Sequence, residues 1–163
     1  MSNSRALLSL IAALLCAAGV LAAPKKRDAV KLSEAAAHAD VVAAVKTQNA
    51  RALPLVAIKV IEQRWFLGKE SNLVQQTTTG KCADQLRAFV AANPAYGQAF
   101  VLDDQGAVVC ASTRTANYWY AEEPLWQRAF RGETFLDRSL LSVPVRDEDR
   151  VIGAIAVRVK LTS

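Results

Sequence analysis

The chain has 163 residues, with 20 Lys and Arg against 15 Asp and Glu, a single His and 52% apolar residues, for a net charge of +5. That length serves one core, since a domain takes roughly 100–200 residues. The composition excludes a disordered tail and a collagen-like repeat, and the length leaves no room for a sensor that carries its own kinase or methyl-accepting output domain.

The first residues have the three parts of a secretory signal. Arg5 supplies a basic start, Ala6 to Val20 an apolar run, and Leu21-Ala22-Ala23 the small exit before Pro24. Proline just after the scissile bond disfavours cutting at 23/24, so cleavage is expected at 22/23. Removing residues 1–22 leaves a single domain over 23–163, of charge +4 because Arg5 is the only charge lost. The chain is then periplasmic or secreted. The rival reading is an uncleaved anchor, since the run approaches the ~17–25 residues that span a bilayer and Lys25-Lys26-Arg27 follows it directly. A lipid-modified Cys16 would need a small residue in place of Leu15. Export leaves Cys82 and Cys110 as a pair where disulfides persist, against the alternative of two buried thiols. No CxxC supports a redox or zinc site.

Residues 28–67 repeat apolar side chains at helical intervals, through Val30, Ala37, Val41, Val45, Ala52, Val56, Val60 and Leu67. They predict one long helix, interrupted near Leu53 by Pro54 and stopped at Gly68. Residues 70–81 are polar, with three consecutive threonines, and read as a connector. A second helix is expected over 82–92, opening a sheet-containing core over 82–161. The period then changes to two. Strands over 98–103 and 107–112 flank the turn Asp103-Asp104-Gln105-Gly106. An aromatic stretch, Asn117-Tyr118-Trp119-Tyr120, precedes a short helix over 123–131 with Pro124 in its first turn. Strands over 134–137, 140–145 and 150–161 close the chain. The order predicts an α+β fold, one antiparallel sheet with helices on one side.

Three strings carry a resemblance. Ala99-Phe-Val-Leu-Asp-Asp-Gln-Gly106 is similar to the first hairpin of the extracytoplasmic PAS-like sensor domains called PDC or Cache. The run from Asn117 to Trp126 resembles the Tyr-Trp plus acidic stretch and Trp-bearing helix of free-standing PDC proteins. Ser142 to Asp147 with Val151 to Ile155 resembles their closing hairpin. The resemblance spans about residues 28–161. It implies a five-stranded antiparallel sheet of order 2-1-5-4-3 with a long N-terminal helix packed along it. It also implies a small carboxylate, amino acid or amine bound between the sheet and the β2–β3 loop. Carried over, the site would draw on Tyr118, Trp119, Tyr120 and Trp126, with Arg128, Arg138 and Ser142 as polar contacts. Where amino-acid-binding members often carry Arg, two residues before the Trp-Tyr pair, this chain has Asn117.

Each of these residues has a plainer role available. Three consecutive rings clamp a ligand or seal the open side of the sheet. Trp126 serves equally as core. Arg114, Arg128 and Arg138 could each fork onto a carboxylate or lie solvated. Glu122 and Glu123, beside Pro124, complement a helix N-terminus. Catalysis has little support: His38 stands alone on a helix, and no GxSxG, HExxH or phosphate-cradling loop is present. Glu122 with Asp137 is the one carboxylate pair worth naming, and sequence spacing does not set its separation. The cations are too dispersed for a nucleic-acid face, and no cofactor motif appears. The expectation is a non-enzymatic sensor module that reports through a partner. Its N-terminal helix offers a surface for a homodimer or another envelope protein. The alternative is an envelope interaction protein with the same fold and no ligand.

Overall fold

The computed structural model describes residues 26–160. The expected signal segment over 1–22, its rival anchor, Cys16 and Leu161 lie outside those residues. No helix among the described residues is long and apolar enough to cross a membrane.

The expected helix over 28–67 is three helices: α1 (Lys26–Ala36), α2 (Ala39–Asn49) and α3 (Leu55–Phe66). The apolar stripe runs on across both breaks, so periodicity alone does not reveal them. His38 makes the first break by taking extended backbone at the N-cap of α2, where its Nδ1 accepts the Asp40 N–H at 3.3 Å. Pro54 makes the second, as expected, and serves as N-cap of α3. The polar stretch read as a connector contains α4 (Ser71–Thr78), and α5 (Gly80–Ala92) begins within it. Threonines are weak helix formers, yet the Thr77 and Thr78 hydroxyls donate back to the Leu73 and Val74 carbonyls of the preceding turn.

The strands are β1 (Tyr96–Leu102), β2 (Val108–Ala111), β3 (Phe135–Leu136), β4 (Leu140–Asp147) and β5 (Arg150–Val159), with α6 (Pro124–Phe130) between β2 and β3. All pairings are antiparallel and the sheet order is β2-β1-β5-β4-β3. This is the order that the PDC/Cache resemblance implies, and the architecture is of that type.

The sheet is covered on both faces, not on one. Leu32 and Ala36 of α1, Val41 and Val45 of α2, and Cys82, Ala83 and Leu86 of α5 pack on Val101, Val143, Ile155 and Val157. On the other face Ile58 and Trp65 of α3 and Leu125 and Ala129 of α6 join Tyr118 and Tyr120 over Phe100, Leu102, Ala154 and Ala156. The reason is in the sequence of β5: both alternating sets are apolar, which is how a strand buried on two sides reads. A disulfide joins Cys82, in the first turn of α5, to Cys110 of β2.

Candidate functional site

The turn between β1 and β2 organises the region. Asp103 Oδ1 accepts the N–H groups of Gln105 and Ala107 at 2.9 and 2.8 Å. Gly106 has φ +79°, and a Cβ there would come within 2.6 Å of Ala121 N, so only glycine fits. Burial pushes the Asp103 carboxyl above its ordinary 3.8, against the pull of those N–H groups.

The aromatic stretch is fastened to this turn and to α3. Val108 N–H donates to Tyr118 O and Tyr120 N–H to Gly106 O, so residues 118–120 lie against the start of edge strand β2. The Trp119 indole donates to Gln105 O at 2.7 Å, and Lys59 sits 5.3 Å from the centre of its ring. Tyr120 packs on Phe100 at 5.1 Å, and its hydroxyl accepts the Asn117 N–H. Trp126, on α6, donates to Asp103 O at 3.0 Å. From α3, Glu62 Oε2 accepts the N–H groups of Tyr118 and Trp119, and the Trp65 ring lies 5.5 Å from that of Tyr118. Arg114 donates to Trp65 O.

The expected polar contacts do not gather around these rings. Ser142 is buried and spends its hydroxyl on Leu125 O at 2.6 Å. Arg128 forms an ion pair with Glu133, whose carboxyl it holds below the ordinary range. Arg138 is exposed between β3 and β4. Tyr118 and Tyr120 are 1% and 3% exposed.

Tyr118 also reaches a second environment. It lines a cleft of about 380 Å³ formed by α2, α4, the start of α5 and β2, with the disulfide in its wall. Arg51 and Lys81 face this cleft, and among the described residues neither has a carboxylate within ion-pair distance. Thr47, Gln48 and Gln76 add neutral hydrogen-bonding groups, and Asp40 stands at the rim beside His38 at 3.7 Å. Burial, and then the negative charge of Asp103, push the Tyr118 phenol up to about 12, while Gln48 and Arg51 act the other way. Gln48, Arg51 and Lys81 were not singled out by sequence. Arg51 follows α2 inside a run that reads as continuous helix, and Lys81 falls in the stretch that reads as a connector. A second groove, of about 460 Å³, lies between α1, α2 and α5 and is lined by Val41, Leu86 and Phe89. Among the described residues no three His, Cys, Asp or Glu side chains gather to hold a metal ion.

No protein-family model matches the chain, and no curated protein does. Among solved structures it is similar to the sensor domain of the Vibrio cholerae histidine kinase DctB. That alignment has 12% identity and a TM-score of 0.45, over 85% of this chain and 58% of that one. It is also similar to the extracellular domain of rpHK1S-Z16, at 14% identity and a TM-score of 0.42, over 81% of this chain and 55% of that one. The chain spans little more than half the length of these two domains.

Proposed function

We propose that this chain is an exported, non-enzymatic sensor module that binds a small carboxylate and reports through a partner protein. The observation that carries the reading is the convergence of Arg51 and Lys81, neither paired with an acidic side chain among the described residues, on one cleft with Gln48 and Tyr118. Two cations and several neutral donors, beside an apolar wall of Leu73 and Val108, suit a small anion with a short hydrocarbon body. An amino acid or an amine would lean on Asp40 instead. On this reading Tyr118 is a ligand contact, from the cleft and not from the space between the sheet and the aromatic loop. Trp119, Tyr120 and Trp126 hold the loop that presents it, Ser142 fastens α6 through Leu125 O, and Arg128 and Arg138 stand apart.

Thermal-shift screening of the purified protein against carboxylates, amino acids and amines tests this, followed by calorimetry on any hit. A carboxylate is expected to raise Tm, and Arg51→Gln with Lys81→Gln to abolish the shift while leaving the unliganded Tm near wild type. A ligand unaffected by those changes but lost in Trp119→Ala would return the site to the sheet and aromatic loop. Mass spectrometry of the protein recovered from cells tests the leader, with a start at Ala23 expected.

The second reading, an envelope interaction protein with no ligand, is favoured by the internal bonds of the Trp119 and Trp126 indoles. It predicts no hit in the screen and a specific crosslinked partner.

A further inference from the structure

Helix α3 carries large apolar side chains on two sides, yet only one of those sides is covered. Ile58 and Trp65 are fully buried against the aromatic loop. On the opposite side Val56, Val60, Gln63 and Leu67 follow i, i+4, i+7 and i+11, and Leu55, Lys59 and Phe66 form the adjacent row. Val56 is 71% and Phe66 79% exposed, and Leu55, Val60 and Leu67 are exposed with them. A contiguous exposed apolar patch marks an interaction surface.

The charges say what covers it. Lys59 and Arg64 are on the exposed side of α3 and Lys69 follows it in the chain, while the nearby carboxylates Glu62 and Glu70 are both engaged. Glu62 accepts N–H groups of the aromatic loop, and Glu70 pairs with Arg64. Glu62 completes the Leu55, Lys59, Phe66 row at its covered edge, and it is the one carboxylate of these rows, spent on the loop. A second copy would bring Lys59, Arg64 and Lys69 toward their own counterparts with no free carboxylate on those rows to answer them. A protein partner would ask for roughly one hydrogen bond per 100–200 Å², and Gln63 is the only uncharged polar side chain on the rows. An anionic lipid surface asks for what is present: aliphatic and aromatic side chains to enter the acyl boundary, with long cationic ones at head-group level.

We propose that the outer face of α3 docks this domain on an anionic membrane surface, with Val56, Val60, Phe66 and Leu67 inserted and Lys59 and Lys69 among the phosphates. The net charge of +5 draws the whole molecule in the same direction. Docking is independent of ligand binding in the cleft, and a vesicle experiment reads it separately.

The test places an environment-sensitive fluorophore on Gln63→Cys in the full chain, with Cys16→Ser so that only this thiol reacts. A probe on α3 reports this face whatever residues 1–25 do. Vesicles of equal phosphatidylglycerol and phosphatidylcholine are expected to shift the emission to the blue, and phosphatidylcholine alone to leave it unchanged. Val56→Ser with Val60→Ser, both solvent-facing, is expected to weaken the response about tenfold or more. The proposal is overturned by a probe that stays in water on the anionic vesicles, or by a response that the double substitution leaves intact. A blue shift that grows with protein concentration and no lipid would overturn it too, assigning the face to a second copy.

Discussion

The Glu62 carboxylate of α3 accepts the backbone N–H of Tyr118 at 2.6 Å, and the same oxygen takes the next N–H, of Trp119, at 3.0 Å. One side chain thus stands where a neighbouring strand would supply carbonyls, and it ties α3 to the loop that walls the cleft. Hydrogen bonds to a charged acceptor contribute about 1.5–3 kcal/mol, and half-buried donors left without one cost more than the bond itself. Glu62→Ala is therefore expected to lower stability by about 3 kcal/mol, read as a fall in the urea midpoint. Amide exchange at Tyr118 and Trp119 should quicken more than in β5. Glu62→Gln keeps an acceptor oxygen and should lose less than half as much. An unchanged midpoint in the alanine variant would mean that the loop holds its shape without α3.

Gly153, on the central strand β5, faces Leu102 so closely that a Cβ would lie 2.2 Å from the Leu102 carbonyl oxygen and 3.1 Å from Val45 Cγ1. Both neighbours are fixed, one in the backbone of β1 and the other in the core under α2. Gly153→Ala is expected to cost at least about 3 kcal/mol through forced strand separation, seen as a large drop in Tm or in soluble yield. Gly97→Ala is the control. Its Cβ would meet the flexible Lys160 Cγ at 3.2 Å, so it should stay close to wild-type stability. Equal effects at the two positions would refute the packing argument.

These two contacts also show what sequence conveys and what it does not. The turn at Asp103-Asp104-Gln105-Gly106, the break at Pro54 and the positions of the strands along the chain are legible, because turn chemistry and a period of two are local signals, whereas the order of the strands in the sheet comes only from the family resemblance. The small face of β5 was legible too. Ala154 and Ala156 leave room for a second layer over the sheet, but the larger residues of the other face dominate the alternation. The break at His38 left no trace in the apolar stripe, since a cap formed by imidazole lies outside the usual Ser, Thr, Asp and Asn. The cleft was illegible for a different reason. It joins Gln48 and Arg51 to Lys81 and Tyr118, which only the tertiary fold brings together, whereas the aromatic stretch draws the eye and spends its polar atoms on the turn.

The disulfide between Cys82 and Cys110 closes a separation of 28 residues and fastens α5 to the edge strand. Cross-linking a loop of that length restricts the unfolded chain by about 3–4 kcal/mol in the chain-entropy account. Reduction, or Cys82→Ala with Cys110→Ala, should lower the unfolding free energy by that amount, read as a fall in the urea midpoint, while the slope of the transition rises because the unfolded chain becomes less compact. Since both cysteines line the cleft, carboxylate affinity should fall along with stability. A reduced protein that unfolds at the oxidised midpoint would show that the bond adds nothing to the packing of Cys82 beneath α5.

All three tyrosines of the chain are held above the ordinary phenol value of 10.0. Burial is the first cause in each. Asp28 adds to it at Tyr96, and the charge of Asp103 carries Tyr118 up to about 12. A group whose folded value exceeds its unfolded one contributes stability that is whole below the unfolded value and disappears as pH climbs through the folded one. The fold should therefore be indifferent to these phenols below pH 10 and weaken steeply from there toward 12. Tyrosinate absorbance should stay flat through pH 10 in the native protein and rise only as near-ultraviolet dichroism collapses. Tyr118→Phe removes one of the three ionisations, so its alkaline limb should move to higher pH. Tyrosinate appearing at pH 10 with the dichroism intact would place the rings in water, and the packed loop between α3 and the sheet could not then be as described.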